Sequence, residues 1–230
     1  MPRRYDSADA KRRILSVCVR LFIENGYSKS TNVEILKQAD VTSSTFYNIF
    51  HSKDGVLEEL TGFMFENQFE MANAIIKEKN DPVLLYSVET AIQLTLAELN
   101  EHLREIYVEV YSQPRIAEII YRKTTEKIQY IFSSYLPDYS PEKFFELEIG
   151  SSGIMRNYMA YSCNENFTLE NKIHRFLEMS LKVYNVPDQK RKEVIDFIMN
   201  IDMVSTANAV MEKLFSALEM KYDFKLTNHR

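Results

Sequence analysis

The stretch TNVEILKQADVTSSTFYNIFHSK, residues 31–53, decides how the N-terminal part of this chain folds. Thr31 and Glu34 have the spacing of a capping box, in which a threonine hydroxyl and a glutamate three residues on satisfy each other's backbone N–H groups. The helix started this way carries Ile35, Leu36 and Ala39 and ends near Asp40. Val41 is apolar, and Thr42 or Ser43 can cap another helix running to about Asn48. Phe46 and Phe50, four residues apart, turn inward from it. Two short helices about three residues apart, behind a packed helix, make a helix-turn-helix.

Working outward, that packed helix begins with Ser7 as its cap and runs to Asn25, where Gly26 supplies a left-handed exit. Ile14, Cys18, Leu21, Phe22 and Asn25 fall at helical spacing along it. Phe22, Tyr27, Phe46 and Phe50 read as core. The third helix holds a run of small hydrogen-bonding side chains: Thr42, Ser43, Ser44 and Thr45, then Tyr47 and Asn48. Such residues can lie close against a duplex and bond phosphates or base edges. Lys53 opens a fourth helix, where its charge and the free N–H groups of a helix start both favour a phosphate.

Charge divides along the same line. Residues 1–53 hold nine Lys and Arg against five Asp and Glu, a net of +4, whereas the chain as a whole is −5. A basic head on an acidic body points to a polyanion partner for the head alone. Arg3 and Arg4 either enter a minor groove or belong to a solvated tail.

The ordered set Arg13-Ile14, Leu21-Phe22, Gly26-Tyr27, Ile35, Ala39-Asp40-Val41-Thr42, Thr45-Phe46-Tyr47 and Phe50-x-x-Lys53 resembles the DNA-binding domain of the tetracycline-repressor (TetR) family over about residues 10–58. The resemblance implies an all-α protein, with a DNA-binding domain at 1–53 and a helical effector-binding and dimerisation domain at 54–230. It implies backbone contacts to DNA from Thr45, Tyr47 and Lys53 and base contacts from Ser43, Ser44 and Asn48. Thr31, Asn32 and Thr42, at the starts of the second and third helices, join that surface. Three positions depart from the family pattern. Asp40 replaces a glycine in a left-handed turn, Ile49 replaces a usual His or Tyr, and Asn32 replaces a common apolar residue.

Beyond Lys53 the chain reads as six or seven further helices. Asp81, Pro114, Ser140-Pro141 and Thr168 mark helix starts, and residues 188–221 form a last segment long enough to be bent or split. The family resemblance implies a small-molecule effector of unspecified identity among helices four to seven, and a homodimer through a C-terminal bundle. Phe63, Asn67, Met71, Tyr107, Tyr111, Tyr121 and Tyr130 are the candidate effector contacts, with plain core packing as the alternative. His102, Arg156 and Asn157 either orient a ligand or belong to the surface or dimer face. Gly150, Ser151, Ser152 and Gly153 are poor helix formers in mid-helix. Close approach of a partner helix is their expected use, so the dimer seam is placed on Gly150, Ser151, Gly153, Ile154 and Tyr158. Packing within one subunit is the alternative.

Four scattered histidines (His51, His102, His174, His229), two distant cysteines (Cys18, Cys163) and the lack of a phosphate loop or nucleophile motif argue against an enzyme, a metal site or a disulfide framework. No cofactor is expected, and both cysteines are expected on helices. No apolar run reaches the length of a membrane span, and no signal-like stretch opens the chain, so a cytoplasmic protein is expected. The partners implied are an operator in double-stranded DNA, a second copy of the chain and an effector. A regulator answering to a protein partner, with no small effector, is the alternative function.

Overall fold

In a computed structural model describing residues 7–77 and 79–227, the chain is an all-helical assembly whose short connections follow from its few glycines and prolines. Eleven helices occur among the described residues. They are α1 (Ser7–Asn25), α2 (Asn32–Ala39), α3 (Ser43–Phe50), α4 (Lys53–Ile76), α5 (Pro82–Leu99), α6 (Glu101–Val110), α7 (Pro114–Phe132), α8 (Pro141–Ala160), α9 (Leu169–Val183), α10 (Asp188–Met199) and α11 (Met203–Ala217). Eight of them lie beyond the head, one more than the sequence suggested at most. The final segment divides at Asn200–Asp202, where the Asp202 carboxylate accepts the Ser205 N–H at 3.0 Å and starts α11. Two further expectations are corrected. Ser7 is already inside α1 and is not its cap, and Cys163 lies in the loop between α8 and α9 while Cys18 is buried on α1. Arg3 and Arg4 lie outside the described residues.

Helix α5 is the axis of the body. Its side chains are buried nearly all round, including Val88, Ile92, Leu94 and Leu96, and α4, α6, α8, α9, α10 and α11 all pack on it. A helix with apolar residues on every face is stable only as such a core element. At the Asp81 cap the carboxylate accepts the Val83 N–H at 3.0 Å, with Pro82 in the first turn. An aromatic group made of Tyr86, Phe132 and Tyr184 joins α5 and α7 to the end of α9, with Phe132 and Tyr184 stacked at 4.2 Å.

Polar groups are also buried here, several of them paired. Lys172 of α9, only 1% exposed, donates to Glu98 at 2.5 Å and to the Tyr161 carbonyl at 2.5 Å. Glu148 of α8 accepts from the Ser152 hydroxyl at 2.5 Å, and Glu89 of α5 accepts from Gln93. Burial pushes the Glu89 and Glu148 carboxyls up, to about 7 and about 8, because an apolar interior disfavours the charged form.

Head and body are joined by specific contacts. His102 Nδ1 of α6 lies 2.6 Å from the Ile23 carbonyl, and Glu105 accepts the Ser28 N–H at 2.8 Å. Gly26 adopts φ +85 beneath α6, and a Cβ there would lie 2.4 Å from the Glu105 carboxylate. Both conformation and space therefore require glycine. After α11 the chain returns to α1. Ser16 donates to the Leu218 carbonyl at 3.0 Å, Arg12 pairs with Glu219 at 2.8 Å, and Asn208 grips both backbone groups of Leu226 at 2.8 and 3.0 Å.

Candidate nucleic-acid interface

The two short helices form as their caps require. The Thr31 hydroxyl accepts the Glu34 N–H at 3.3 Å, and the Glu34 carboxylate accepts the Thr31 N–H at 3.2 Å, completing the capping box. The Thr31 hydroxyl, which also donates to that carboxylate at 2.9 Å, and the Thr31 N–H hold the Glu34 carboxyl below the usual carboxylate range. Helix α2 ends at Asp40 with φ +50, and the Leu36 carbonyl accepts the Val41 N–H at 3.2 Å. Asp tolerates this left-handed position better than most residues. Arg13 of α1 supplies what the sequence reading missed. Its guanidinium donates to the Ala39 and Asp40 carbonyls, the latter at 3.0 Å, and is steered by Asp9 at 3.0 Å. A cation on the last carbonyls of a helix opposes its negative end.

Thr42 is the cap of α3. Its hydroxyl accepts the Thr45 N–H at 3.1 Å and shares a 2.9 Å bond with the Thr45 hydroxyl. Phe46 and Phe50 turn into the core, which rotates Ser43, Ser44, Tyr47 and Asn48 to the outside as a single helical face. Tyr47 is 62% exposed, and its ring meets the edge of His51 at 5.3 Å. Thr31, Asn32 and Thr42 are exposed as well, and Thr45 is half-buried. Val33 is 74% exposed, an apolar side chain left outside the core at the start of α2. The outcome is an uncharged rim of hydroxyls, one amide and one phenol. Gly55 in the first turn of α4 makes the α3–α4 corner possible, since a Cβ there would fall 2.0 Å from the Phe50 carbonyl oxygen.

Lys53 differs from the expectation of a phosphate-facing ammonium. Its Nζ donates to the Tyr27 carbonyl at 2.8 Å and the Ser30 carbonyl at 3.0 Å, and sits 4.2 Å from the centre of the Tyr27 ring. The positive charge thus ties the α1–α2 loop to the start of α4. Other head cations also bond internally: Lys11 to Glu59, Arg12 to Asp9, and Arg20 to Gln38. Among the described head residues, Lys29 and Lys37 stay exposed without an ion pair.

The body candidates are divided by the helix phases. A cavity of about 90 Å³ lies between head and body, and Tyr107 and Tyr111 line it. Phe63, Asn67, Met71, Tyr121 and Tyr130 do not. Phe63 borders a surface groove between α4 and α7, Asn67 donates to the Phe63 carbonyl at 2.8 Å, and Met71 packs on the core. Tyr121 meets Phe145 of α8, and Tyr130 is 75% exposed. Gln68, Met64 and Phe65 of α4, with Met211 and Leu214 of α11, are among the lining residues that sequence reasoning missed. Arg156 donates to Ser112 at 2.9 Å, and neither it nor His102 lines this cavity. On α8, Ser151 and Ser152 are buried within the subunit, correcting Ser151 as a seam residue. Gly150 and Gly153 face open space, with Ile149 exposed and Ile154 and Tyr158 half-buried beside them.

No single helix among the described residues is long and apolar enough to cross a membrane, and none of their His, Cys, Asp and Glu side chains cluster as a metal site.

Comparison with known proteins points to the same segment. Residues 14–60 match the family described as bacterial regulatory proteins, tetR family. An uncharacterized HTH-type transcriptional regulator of Bacillus subtilis (strain 168), YvkB, is 27% identical over 115 residues, 50% of this chain. The chain spans 58% of that relative's length. Over residues 14–60, the helix-turn-helix segment, the chain is thus similar to the tetR family of bacterial regulatory proteins.

Proposed function

We propose that this protein is a DNA-binding transcriptional regulator of the cytoplasm, a homodimer that represses from a pseudo-palindromic operator until a small molecule releases it. The observation that carries the reading is the outer face of α3. Ser43, Ser44, Tyr47 and Asn48 project together from a helix whose other side is locked by Phe46 and Phe50. Hydroxyls and an amide on one exposed face can bond base edges, while Thr31, Thr42, Thr45 and Tyr47 reach phosphates on either side. Asn32 lies next to them at the start of α2. Lys53 serves this surface indirectly, by holding the loop between α1 and α2. With few charges on the rim, operator shape and half-site spacing carry much of the specificity.

The outward strip of α8 and α9 supports the dimer. Ile149, Tyr161, Met179 and Val183 are exposed there, and Gly150 and Gly153 leave room for a close helix. Effector binding that shifts α4 changes the separation of the two heads. Its thermodynamic requirement is a ligand preference for the DNA-incompetent state, typically about 1–3 kcal/mol.

The test uses DNA recovered by the protein from a random-sequence pool, with binding followed by fluorescence anisotropy. Tyr47→Ala and Asn48→Ala are expected to weaken binding at least tenfold while the melting temperature stays within a degree. Unchanged affinity in both variants would refute the face assignment. A monomer at micromolar concentration in sedimentation would refute the dimer.

A further inference from the structure

The cavity at the head–body junction is walled mainly by α4 (Leu57, Met64, Gln68) and α6 (Ile106, Tyr107), with α1 of the head (Phe22, Ile23) closing one side and α11 (Met211, Leu214) another. Among the described residues, no charged side chain lines it. Most of its polar atoms are already paired with one another. Thr61 donates to the Leu57 carbonyl at 2.7 Å, Tyr111 donates to Gln93 at 3.2 Å, and the Gln93 amide donates to Glu89. The exception is the pair formed by Gln68 and Tyr107. The Gln68 amide donates to the Tyr107 oxygen, which leaves the tyrosine's own proton and the Gln68 carbonyl oxygen without another hydrogen bond among the described residues. Burial keeps that phenol protonated by raising its pKa well above the usual value.

We propose that this junction cavity is the effector site and that it takes an uncharged, largely apolar molecule bearing one hydroxyl or carbonyl oxygen, bound by Tyr107 and Gln68. This rests on the reading of the chain as an effector-controlled regulator and adds the ligand class and the two side chains that select it. A charged guest would lie in an apolar site with no ionic partner, which is strongly unfavourable. A fully apolar guest would leave the Tyr107 donor unused, whereas an oxygen satisfies it.

The size of the cavity supplies the coupling. An apolar cavity that accepts benzene measures about 150 Å³, and this one measures about 90 Å³. A ring-sized guest therefore enters only by moving walls. Met64 and Met211, unbranched and adaptable, yield on the body side. On the head side the Ile23 carbonyl is tied to His102, and Phe22 packs edge-on against Tyr27 at 5.1 Å. Tyr27 is the residue whose carbonyl and ring hold Lys53. A guest thus pries α1 from α6 and acts on the scaffold of the helix-turn-helix itself.

The test is calorimetric titration of the full chain with 4-propylphenol, propylbenzene and 4-propylbenzoate, three probes of similar size. The phenol is expected to bind at least tenfold tighter than propylbenzene, and the carboxylate not measurably. Tyr107→Phe should weaken the phenol, and Tyr107→Phe combined with Gln68→Leu should bring it down to the affinity of propylbenzene while leaving propylbenzene unchanged. Ile106→Phe, which fills the space, should remove binding of both. If that variant does not keep the wild-type helix content, Val19→Leu replaces it. Absence of heat with all three probes overturns the proposal, as does a carboxylate that binds like the phenol, or a phenol preference that survives the double variant undiminished. Titration requires no DNA, so the two readings fail separately. A chain that selects DNA and binds no probe refutes the site alone, and one that binds the phenol and selects no DNA refutes the regulator alone.

Discussion

Replacing Lys53 by alanine separates two roles that a lysine at this position can have. Its ammonium donates to the Tyr27 and Ser30 carbonyls at 2.8 and 3.0 Å and lies over the Tyr27 ring. Hydrogen bonds from a charged donor contribute about 1.5–3 kcal/mol each, and an exposed cation–π contact about 0.5–1 kcal/mol. The site is half-buried, so water takes over part of what the ammonium leaves. The net loss is then about 2–4 kcal/mol. For a chain of 230 residues a loss of that size lowers the melting temperature by roughly 5–12 °C. Differential scanning calorimetry of wild type and Lys53→Ala measures it, and Lys53→Arg tests whether a bulkier cation can reach both carbonyls. DNA binding gives the complementary readout. An ammonium on a phosphate would contribute about 0.9 to the slope of log K against log salt for each head, so an inward-facing Lys53 leaves the slope unchanged at temperatures where the variant is folded. A melting temperature within one degree of wild type, together with a reduced salt slope, would refute the brace and return Lys53 to the DNA.

Three further outcomes follow from the packing. Because Glu148 keeps its proton up to about pH 8 in the folded chain and loses it near pH 4.3 when unfolded, the native state binds more protons between these values and stability falls as pH rises through the window; the melting temperature should drop from pH 5 to 8, Glu148→Gln should flatten the drop, and a flat wild-type profile would count against a buried carboxyl. Lys172→Met should cost about 3–5 kcal/mol in chemical denaturation, since it strands Glu98 without its closest cation, and a loss under 1 kcal/mol would show the pair to be solvated. Gly55→Ala and Gly62→Ala should differ in sign: the first forces a Cβ onto the Phe50 carbonyl and costs about 1–3 kcal/mol, while the second meets only the Lys123 ammonium at 3.6 Å and gains about 0.5–1 kcal/mol, so equal melting temperatures would contradict both.

The head was legible because its instructions are local. A capping box, a Thr cap and a left-handed exit each act over three or four residues, and Thr31, Thr42 and Gly26 all perform as their spacing implies. Lys53 was not legible, because its direction depends on carbonyls 23 and 26 residues away. Helix α4 failed for a different reason. Apolar residues surround it (Leu60, Phe63, Met64, Phe65, Phe69, Met71), so no single stripe announces which face meets the cavity. Choosing Phe63, Asn67 and Met71 put the phase one residue away from Met64 and Gln68, which line it. Gly150-Ser151-Ser152-Gly153 was read as one surface although successive residues on a helix point about 100° apart. The serines point inward and the glycines outward. The break between α10 and α11 has no glycine or proline to mark it, only the Asp202 cap.

Whether the outer face of α3 reads DNA is answered by comparing what wild type and Asn48→Ala each enrich from a random double-stranded pool. Wild type should enrich an inverted repeat, and the variant should enrich the same repeat with preference relaxed at one symmetric position per half-site. An identical motif from both proteins, or no motif from wild type, would contradict it.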